Sequence, residues 1–295
     1  MTVLDITDLT LTLPDTVRPV LSNVSLSIGD TETVALVGES GSGKTLTART
    51  VIRLLPNGAH ATGTVKVATE DVLTMSTKAL AALRTSTAAM IFQDPRASIN
   101  PLRRIGDFLT ETIRARDKAA DMLARVGLDP ATMNQYPGAL SGGMLQRVMI
   151  AAALMGDPKL LLADEPTTAL DVTTQAEVIA LLTDLKPSLL FVTHDLGLAS
   201  AISDRVYVMY AGRIVETGTA AALFSSPRHP YTRALLNSTP RIDGPGKRLQ
   251  AIDGHPPDLR TPLTGCPFAP RCPQATTICT EQEPQPVNHV ACHHA

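Results

Sequence analysis

The eight residues Gly38-Glu39-Ser40-Gly41-Ser42-Gly43-Lys44-Thr45 constrain this chain more than any other stretch. They match GxxxxGK[ST], a pattern that cradles phosphate when it joins the end of a buried strand to the start of a helix. Both flanks can be read in the sequence. Thr33 to Val37 reads as a short buried strand, and a helix is expected from Lys44 to about Leu55, closed by Pro56-Asn57-Gly58. The glycines let the backbone wrap closely around phosphates, while the helix start offers free N–H groups and a favourable dipole. Lys44 is then placed for the β and γ phosphates, and the Thr45 hydroxyl for Mg²⁺. The bland alternative is a Gly/Ser surface loop with an incidental lysine, which explains neither flank.

Further strands read at Ala89 to Phe92, Leu160 to Ala163 and Leu189 to Thr193. Strands alternating with helices predict an α/β fold over residues 1–225, a mostly parallel sheet covered by helices. The stretch from about Ile105 to Met155 reads as helical throughout and suggests a helical lobe over about 100–155. No internal repeat is visible, so one such unit is expected. After about Ser226 the composition changes, with twelve of the 22 prolines in the remaining residues. Proline removes backbone donors and blocks regular helices. Residues 226–295 are therefore expected to form an irregular extension that needs some other fastening. Cys266, Cys272, Cys279 and Cys292 all lie there. In a cytosolic chain such clustering reads as metal or cluster ligation before disulfides.

Apolar residues make up 44% of the 295, enough for a core, but the apolar runs are short. None approaches the roughly 20 residues needed to cross a bilayer. No basic stretch followed by an apolar one opens the chain, so no secretory signal is read and a cytosolic location is expected. The net charge is -2 and no dense Lys/Arg block occurs, which argues against a nucleic-acid partner. Any role at a membrane must come from docking to another protein.

A P-loop alone leaves GTPases, kinases and many ATPases open. Leu160-Leu161-Leu162-Ala163-Asp164-Glu165 narrows the choice, being an apolar strand ending in two acids. Asp164 suits Mg²⁺ ligation through water, and Glu165 suits the polarising or orienting of an attacking water. A helix N-cap accounts for one acid but not for the pair. About 20 residues earlier stands Leu140-Ser141-Gly142-Gly143-Met144. Alone, Ser-Gly-Gly is a common helix start. Between a P-loop and an Asp-Glu strand it closely resembles the signature of ABC ATPases. The resemblance covers roughly residues 3 to 225 and implies a P-loop NTPase (RecA-like) core there. It implies that Ser141, Gly142 and Gly143 bind the γ-phosphate held by an opposite subunit. It also implies that Gln93 contacts Mg²⁺ or water and senses a membrane partner, that Ala169-Leu170-Asp171 is the D-loop, and that His194 is the switch histidine on the γ-phosphate. Catalysis is thereby expected of Glu165, His194 and Gln93, with Mg²⁺ on Thr45, Gln93 and Asp164.

Phe92-Gln93-Asp94-Pro95 through Ser98-Ile99-Asn100-Pro101, and Arg228-His229-Pro230-Tyr231-Thr232-Arg233, resemble the importers of oligopeptides, dipeptides and nickel. So does Gly265-Cys266-Pro267-Phe268-Ala269-Pro270-Arg271-Cys272 with the two later cysteines. This resemblance and the loose cysteine spacing favour a [4Fe–4S] cluster, with Zn²⁺, a disulfide or free thiols as alternatives. His289, His293 and His294 are substitute ligands or surface residues. The implied partners are two permease subunits, a second ABC ATPase and an extracytoplasmic solute-binding protein, at the cytoplasmic face of the membrane. Rival readings are a soluble ABC ATPase acting on DNA or ribosomes, and a redox module in the tail. The sequence departs from the family at one place. Leu13 stands where an aromatic residue stacks on adenine, leaving an aliphatic platform, Arg18 or another residue for that task.

Overall fold

In this computed structural model, residues 1–168, 170–185, 187–238, 252–258 and 261–295 are described. The strands β1 (Thr2–Thr12) and β2 (Leu21–Gly29) pair antiparallel and lead into β3 (Thr33–Val37), from which α1 (Lys44–Val51) rises. β4 (His60–Val67) and β5 (Glu70–Asp71) complete a four-stranded antiparallel sheet of order β2-β1-β4-β5. α2 (Thr77–Ser86) feeds β6 (Ala88–Ile91). The helical stretch follows as α3 (Pro95–Ser98), α4 (Ile105–Leu109), α5 (Arg116–Arg125), two 3₁₀ turns, and α6 (Gly142–Leu154). The chain then alternates through β7 (Leu160–Asp164), α7 (Val172–Asp184), β8 (Ser188–Thr193), α8 (Leu196–Ile202) and β9 (Arg205–Tyr210). It continues into β10 (Arg213–Thr219), α9 (Ala220–Ser225), α10 (Pro230–Asn237) and α11 (Thr277–Glu281).

The second sheet has order β10-β9-β3-β8-β7-β6, parallel except for the β9–β10 pair. Its strands are apolar on both faces, as a sheet covered on both sides requires. Val34, Leu36, Leu160, Leu162 and Leu190 pack towards the antiparallel sheet and α1. Ile91, Leu161, Ala163 and Phe191 pack into the helical stretch. Ala35, Val37, Val208 and Tyr210 pack with Leu196, Tyr231 and Phe268. The expected strand Thr33–Val37 is reproduced residue for residue, and the other three shift by one residue at their ends.

Two local expectations are corrected. The first helix ends at Val51 and not at Leu55. Arg53 takes a left-handed conformation (φ 47°), and the N–H groups of Arg53 and Leu54 donate to the carbonyls of Thr50 and Arg49. That is a Schellman closure built without glycine, fixed because the Arg53 guanidinium donates to the carbonyls of Val72 and Met75. The stretch from Ile105 to Met155 is also not continuously helical. Gly127 (φ 74°) ends α5, and Pro130 and Pro137 open short 3₁₀ turns. Among the described residues no helix is long and apolar enough to cross a membrane.

Candidate functional site

Parallel strands deliver their carboxyl ends to one edge, where open α/β sheets bind ligands. Here β3 delivers the P-loop, β6 delivers Gln93, β7 delivers Asp164 and Glu165, and β8 delivers His194. Lys44, Thr45, Gln93, Glu165 and His194 line one cavity of about 500 Å³, together with Ser40, Gly41 and Gly43. Glycine is required at Gly38, because a Cβ there would lie 2.2 Å from the Met209 carbonyl oxygen. Gly43 (φ 109°) turns the chain into α1, and a Cβ there would strike the Leu21 side chain at 2.6 Å.

Lys44 is buried, with Nζ donating to the carbonyls of Gly38 at 2.8 Å and Glu39 at 3.0 Å. Burial lowers its pKa, opposed by the charges of Glu165, Asp164 and Glu39. The Thr45 hydroxyl donates to Asp164 Oδ1 at 2.9 Å. Burial pushes the Asp164 carboxyl up, against the pull of that hydrogen bond. Asp164 Oδ2 and Ser42 Oγ are buried with no hydrogen-bond partner. An orphaned carboxylate oxygen beside a threonine hydroxyl is the donor set that a hard divalent cation takes, so these residues fit Mg²⁺.

Glu165 stands at φ 47° directly after its strand, its N–H donating to the Val192 carbonyl at 2.9 Å. A left-handed non-glycine residue of this kind is backbone strain held by its surroundings. Its carboxylate faces three partners: Gln93 Nε2 at 2.9 Å, Thr168 Oγ1 at 3.0 Å and His194 Nδ1 at 3.2 Å. Sequence reasoning brought Gln93, Glu165 and His194 forward but missed Thr168, whose only signal was its place three residues after Glu165.

The other predicted residues lie elsewhere. Ser141 caps α6, accepting the Met144 N–H at 3.3 Å, so Gly142 and Gly143 form an open helix start. Asp171 caps α7, and the backbone and hydroxyl of Thr174 lower its pKa by donating to it. None of Ser141, Gly142, Gly143 and Asp171 lines the Lys44 cavity. Gly142 lines a second recess whose wall includes Gln93. Ala169 of the expected D-loop lies outside the described residues.

A family model described as ABC transporter matches residues 21–168. This chain belongs to the ABC transporter family. Another model, described as oligopeptide/dipeptide transporter C-terminal region, matches residues 215–279 of the cassette. The oligopeptide transport ATP-binding protein AppD of Bacillus subtilis is 44% identical, over 92% of this chain and 88% of its own length. The oligopeptide transport ATP-binding protein OppD of Salmonella typhimurium is 42% identical, over 95% of this chain and 89% of its own. Among solved structures, the dimeric post-hydrolysis state of the ATP-binding cassette MJ0796 bound to ADP and Pi matches with a TM-score of 0.65 and 27% identity. That match covers 74% of this chain and 98% of MJ0796. CbiO1 of Clostridium perfringens, part of the ABC transporter complex cbiONQ, matches with a TM-score of 0.66 at 25% identity, covering 76% and 91% of the two chains.

The ABC cassette's tail is seated on the six-stranded sheet. Phe268 is buried against Tyr210 and Tyr231, with ring centroids 5.3 and 5.4 Å away. Arg271 forms a two-pronged ion pair with Glu39 inside the P-loop, at 2.7 and 2.9 Å. The Glu39 N–H donates to the Tyr231 hydroxyl at 2.8 Å. No sequence motif signalled these contacts, although Arg271 sits inside the cysteine pattern. Leu13 is half-buried against the core, and Arg18 Nη2 donates to the carbonyls of Pro257 and Asp258.

All four cysteines are free thiols. Burial raises the pKa of Cys266 and of Cys272, and the charges of Cys279 and Cys292 raise both further. Cys272 Sγ accepts the Gln274 N–H and Cys292 Sγ the His294 N–H, each at 3.4 Å. His294 Nε2 lies 3.5 Å from Cys279 Sγ, whereas His293 Nε2 bonds the Gln282 carbonyl. The thiols are close enough to feel one another, and thiol chemistry suits a soft metal. Among the described residues, however, no group of three or more His, Cys, Asp or Glu is placed to hold a metal ion.

Proposed function

We propose that this chain is the ATP-hydrolysing subunit of an ABC importer of peptides. It binds ATP on Gly38 to Thr45 and energises uptake through membrane partners. The observation that carries the reading is the meeting of Lys44, Thr45, Gln93, Glu165 and His194 in one cavity at the strand ends. The names of the similar chains, oligopeptide and dipeptide transport ATP-binding proteins, support the substrate class.

The residue roles are as follows. Lys44 and the P-loop amides hold the phosphates. Thr45, Asp164 and Gln93 hold Mg²⁺, which supplies charge neutralisation across the transferring phosphoryl group. Glu165 orients or deprotonates the attacking water, and His194 contacts the γ-phosphate. Ser141, Gly142, Gly143 and Asp171 do not line their own chain's phosphate cavity, which supports a head-to-tail pair in which each signature completes the partner cassette's site. Two permease subunits dock at the cytoplasmic face, near the recess shared by Gln93 and Gly142, and an extracytoplasmic binding protein supplies the solute. Residues 1–225 form the ATPase domain and 226–295 the extension. Cys266, Cys272, Cys279 and Cys292 are the ligands proposed for a [4Fe–4S] cluster, on their thiol chemistry and their place in the extension alone, since their arrangement here is not that of a formed metal site. Iron analysis of anaerobically prepared protein tests this, and stoichiometric zinc without iron would replace the cluster by a zinc site.

The test of the whole is uptake of a labelled oligopeptide by proteoliposomes holding the cassette and its permeases. Uptake is expected to require ATP and to vanish with Lys44→Ala. ATP hydrolysis without any peptide dependence or peptide uptake would remove the importer reading.

A further inference from the structure

We propose that Arg271, in the C-terminal extension, is a positioning residue for the nucleotide and acts through Glu39. Every N–H of its guanidinium has an acceptor. Nη1 donates to Glu39 Oε2 and to the Tyr210 hydroxyl, at 2.7 and 3.2 Å. Nη2 donates to Glu39 Oε1 and the Ile252 carbonyl, at 2.9 and 3.2 Å. Nε donates to the Asp253 carbonyl at 2.9 Å. The Arg271 side chain is only 5% exposed and that of Glu39 only 24%. A bidentate, desolvated pair of this kind fixes geometry as well as charge.

What it fixes is the phosphate loop. Glu39 is tied to the extension twice, by its carboxylate to Arg271 and by its N–H to Tyr231. Its carbonyl accepts from Lys44 Nζ at 3.0 Å. The loop residue that touches the phosphate lysine is thus held by side chains more than 190 positions later in the chain. The charge matters separately from the geometry. Glu39 directly precedes Ser40 and Gly41, which line the Lys44 cavity, and its negative charge reaches Lys44. Arg271 cancels that charge. Without it, Glu39 repels the incoming phosphates, and at short range in a partly dry site such repulsion is strong.

A purely structural anchor and a positioning residue differ in one respect. If Arg271 works by neutralising Glu39, removing the Glu39 charge repairs the loss of Arg271. If Arg271 only fastens the tail, it does not. The proposal rests on ATP binding at Gly38 to Thr45, so the experiment includes a control for that. Full-length wild type, Arg271→Gln, Arg271→Lys, Glu39→Gln/Arg271→Gln and Lys44→Ala are titrated with MgATP, and resistance of the tail to protease is followed in each. Arg271→Gln is expected to weaken ATP about fivefold or more, a modest charge-assisted contribution. The double variant is expected to recover most of that loss. Arg271→Lys, which keeps the charge and loses the fork, should fall between Arg271→Gln and wild type. In ATPase assays the effect of Arg271→Gln should appear in KM and leave kcat nearly unchanged. ATP affinity unchanged in Arg271→Gln but lost in Lys44→Ala overturns this proposal alone. So does a double variant no better than Arg271→Gln with its tail still protease-resistant. If Arg271→Gln frees the tail, Arg271→Lys decides, and an affinity as low as that of Arg271→Gln overturns it. Wild-type protein that bound no MgATP would overturn the nucleotide reading, and this proposal with it.

Discussion

Glu165 has both carboxylate oxygens engaged, by Gln93 and Thr168 on one and His194 on the other. Glu165→Gln keeps the shape but not the basicity. It is expected to preserve ATP affinity, to lower turnover by about 100-fold or more, and to accumulate an ATP-bound dimer on size-exclusion chromatography. Near-normal turnover in the assembled transporter would remove Glu165 from its proposed role. His229 offers a different test. It is 1% exposed and burial lowers its pKa from 6.5 to about 4, opposed by a hydrogen bond to the Ala291 backbone. The unfolded chain takes up this proton below about pH 6.5, the folded chain only near pH 4. The neutral imidazole therefore stabilises the fold above pH 6.5, and that contribution drains away as pH falls to 4, by about 3 kcal/mol at most. His229→Asn, which keeps a capping side chain for the Tyr231 N–H, should lose less stability than wild type across pH 6.5 to 4 in denaturant titrations. Parallel curves would refute the buried-histidine account. At this scale, legibility followed chain order. Lys44, Gln93, Glu165 and His194 were readable because each comes shortly after a strand with a recognisable apolar run. Tyr231 and Arg271 were not, because what places them is packing between distant segments, and Thr168 was not, because its contact depends on the tight turn after Glu165.

Element boundaries obey local chemistry that the apolar pattern does not display. The pattern carried α1 on to Leu55, but the chain turns left-handed at Arg53, which the Val72 and Met75 carbonyls hold in place. The start of α6 is limited in a similar way. A Cβ on Gly143 would lie 2.5 Å from Thr174 Cγ2 on the neighbouring α7, whereas a Cβ on Gly142 meets nothing within 4 Å. Of the two signature glycines, then, only Gly143 is required by packing within this chain. Gly142 is free for a ligand or a partner. Gly143→Ala trades a helix-propensity gain of about 1 kcal/mol against overpacking of about 1–3 kcal/mol, so it should destabilise modestly. Gly142→Ala should be neutral or stabilising in the isolated chain. Thr174→Ser, which deletes the offending methyl, should rescue Gly143→Ala. Equal melting curves for the two alanine variants would contradict this packing.

The molecule as a whole solves a problem posed by its last 70 residues. They are proline-rich and lack apolar runs, and ordering each residue costs about 1–2 kcal/mol of backbone entropy. The sequence pointed to the cysteines as the fastening because no other long-range constraint is visible in one dimension. In three dimensions the extension borrows a core. Phe268 and Tyr231 join Val37, Val208 and Tyr210 on one face of the parallel sheet. The chain end bridges to the edge strand β10 at Glu216–Val290, and the Ala291 N–H donates to the Val215 carbonyl at 2.9 Å. Arg213 pairs with Glu283, and Arg271 with Glu39. These contacts need no metal, which sets an order among variants. Phe268→Ala removes a fully buried ring, costing about 3–5 kcal/mol, most of it from the seating of the tail and only part from the sheet beneath. Cys272→Ser alters one atom at the edge of that seat and keeps its aromatic rings. Limited proteolysis of the full-length protein should therefore clip the extension of Phe268→Ala faster than that of Cys272→Ser, with a fragment close to residues 1–225 surviving in both. The opposite order, a tail lost with Cys272→Ser and retained with Phe268→Ala, would show that the thiols and whatever they bind, not the aromatic seat, hold the extension in place.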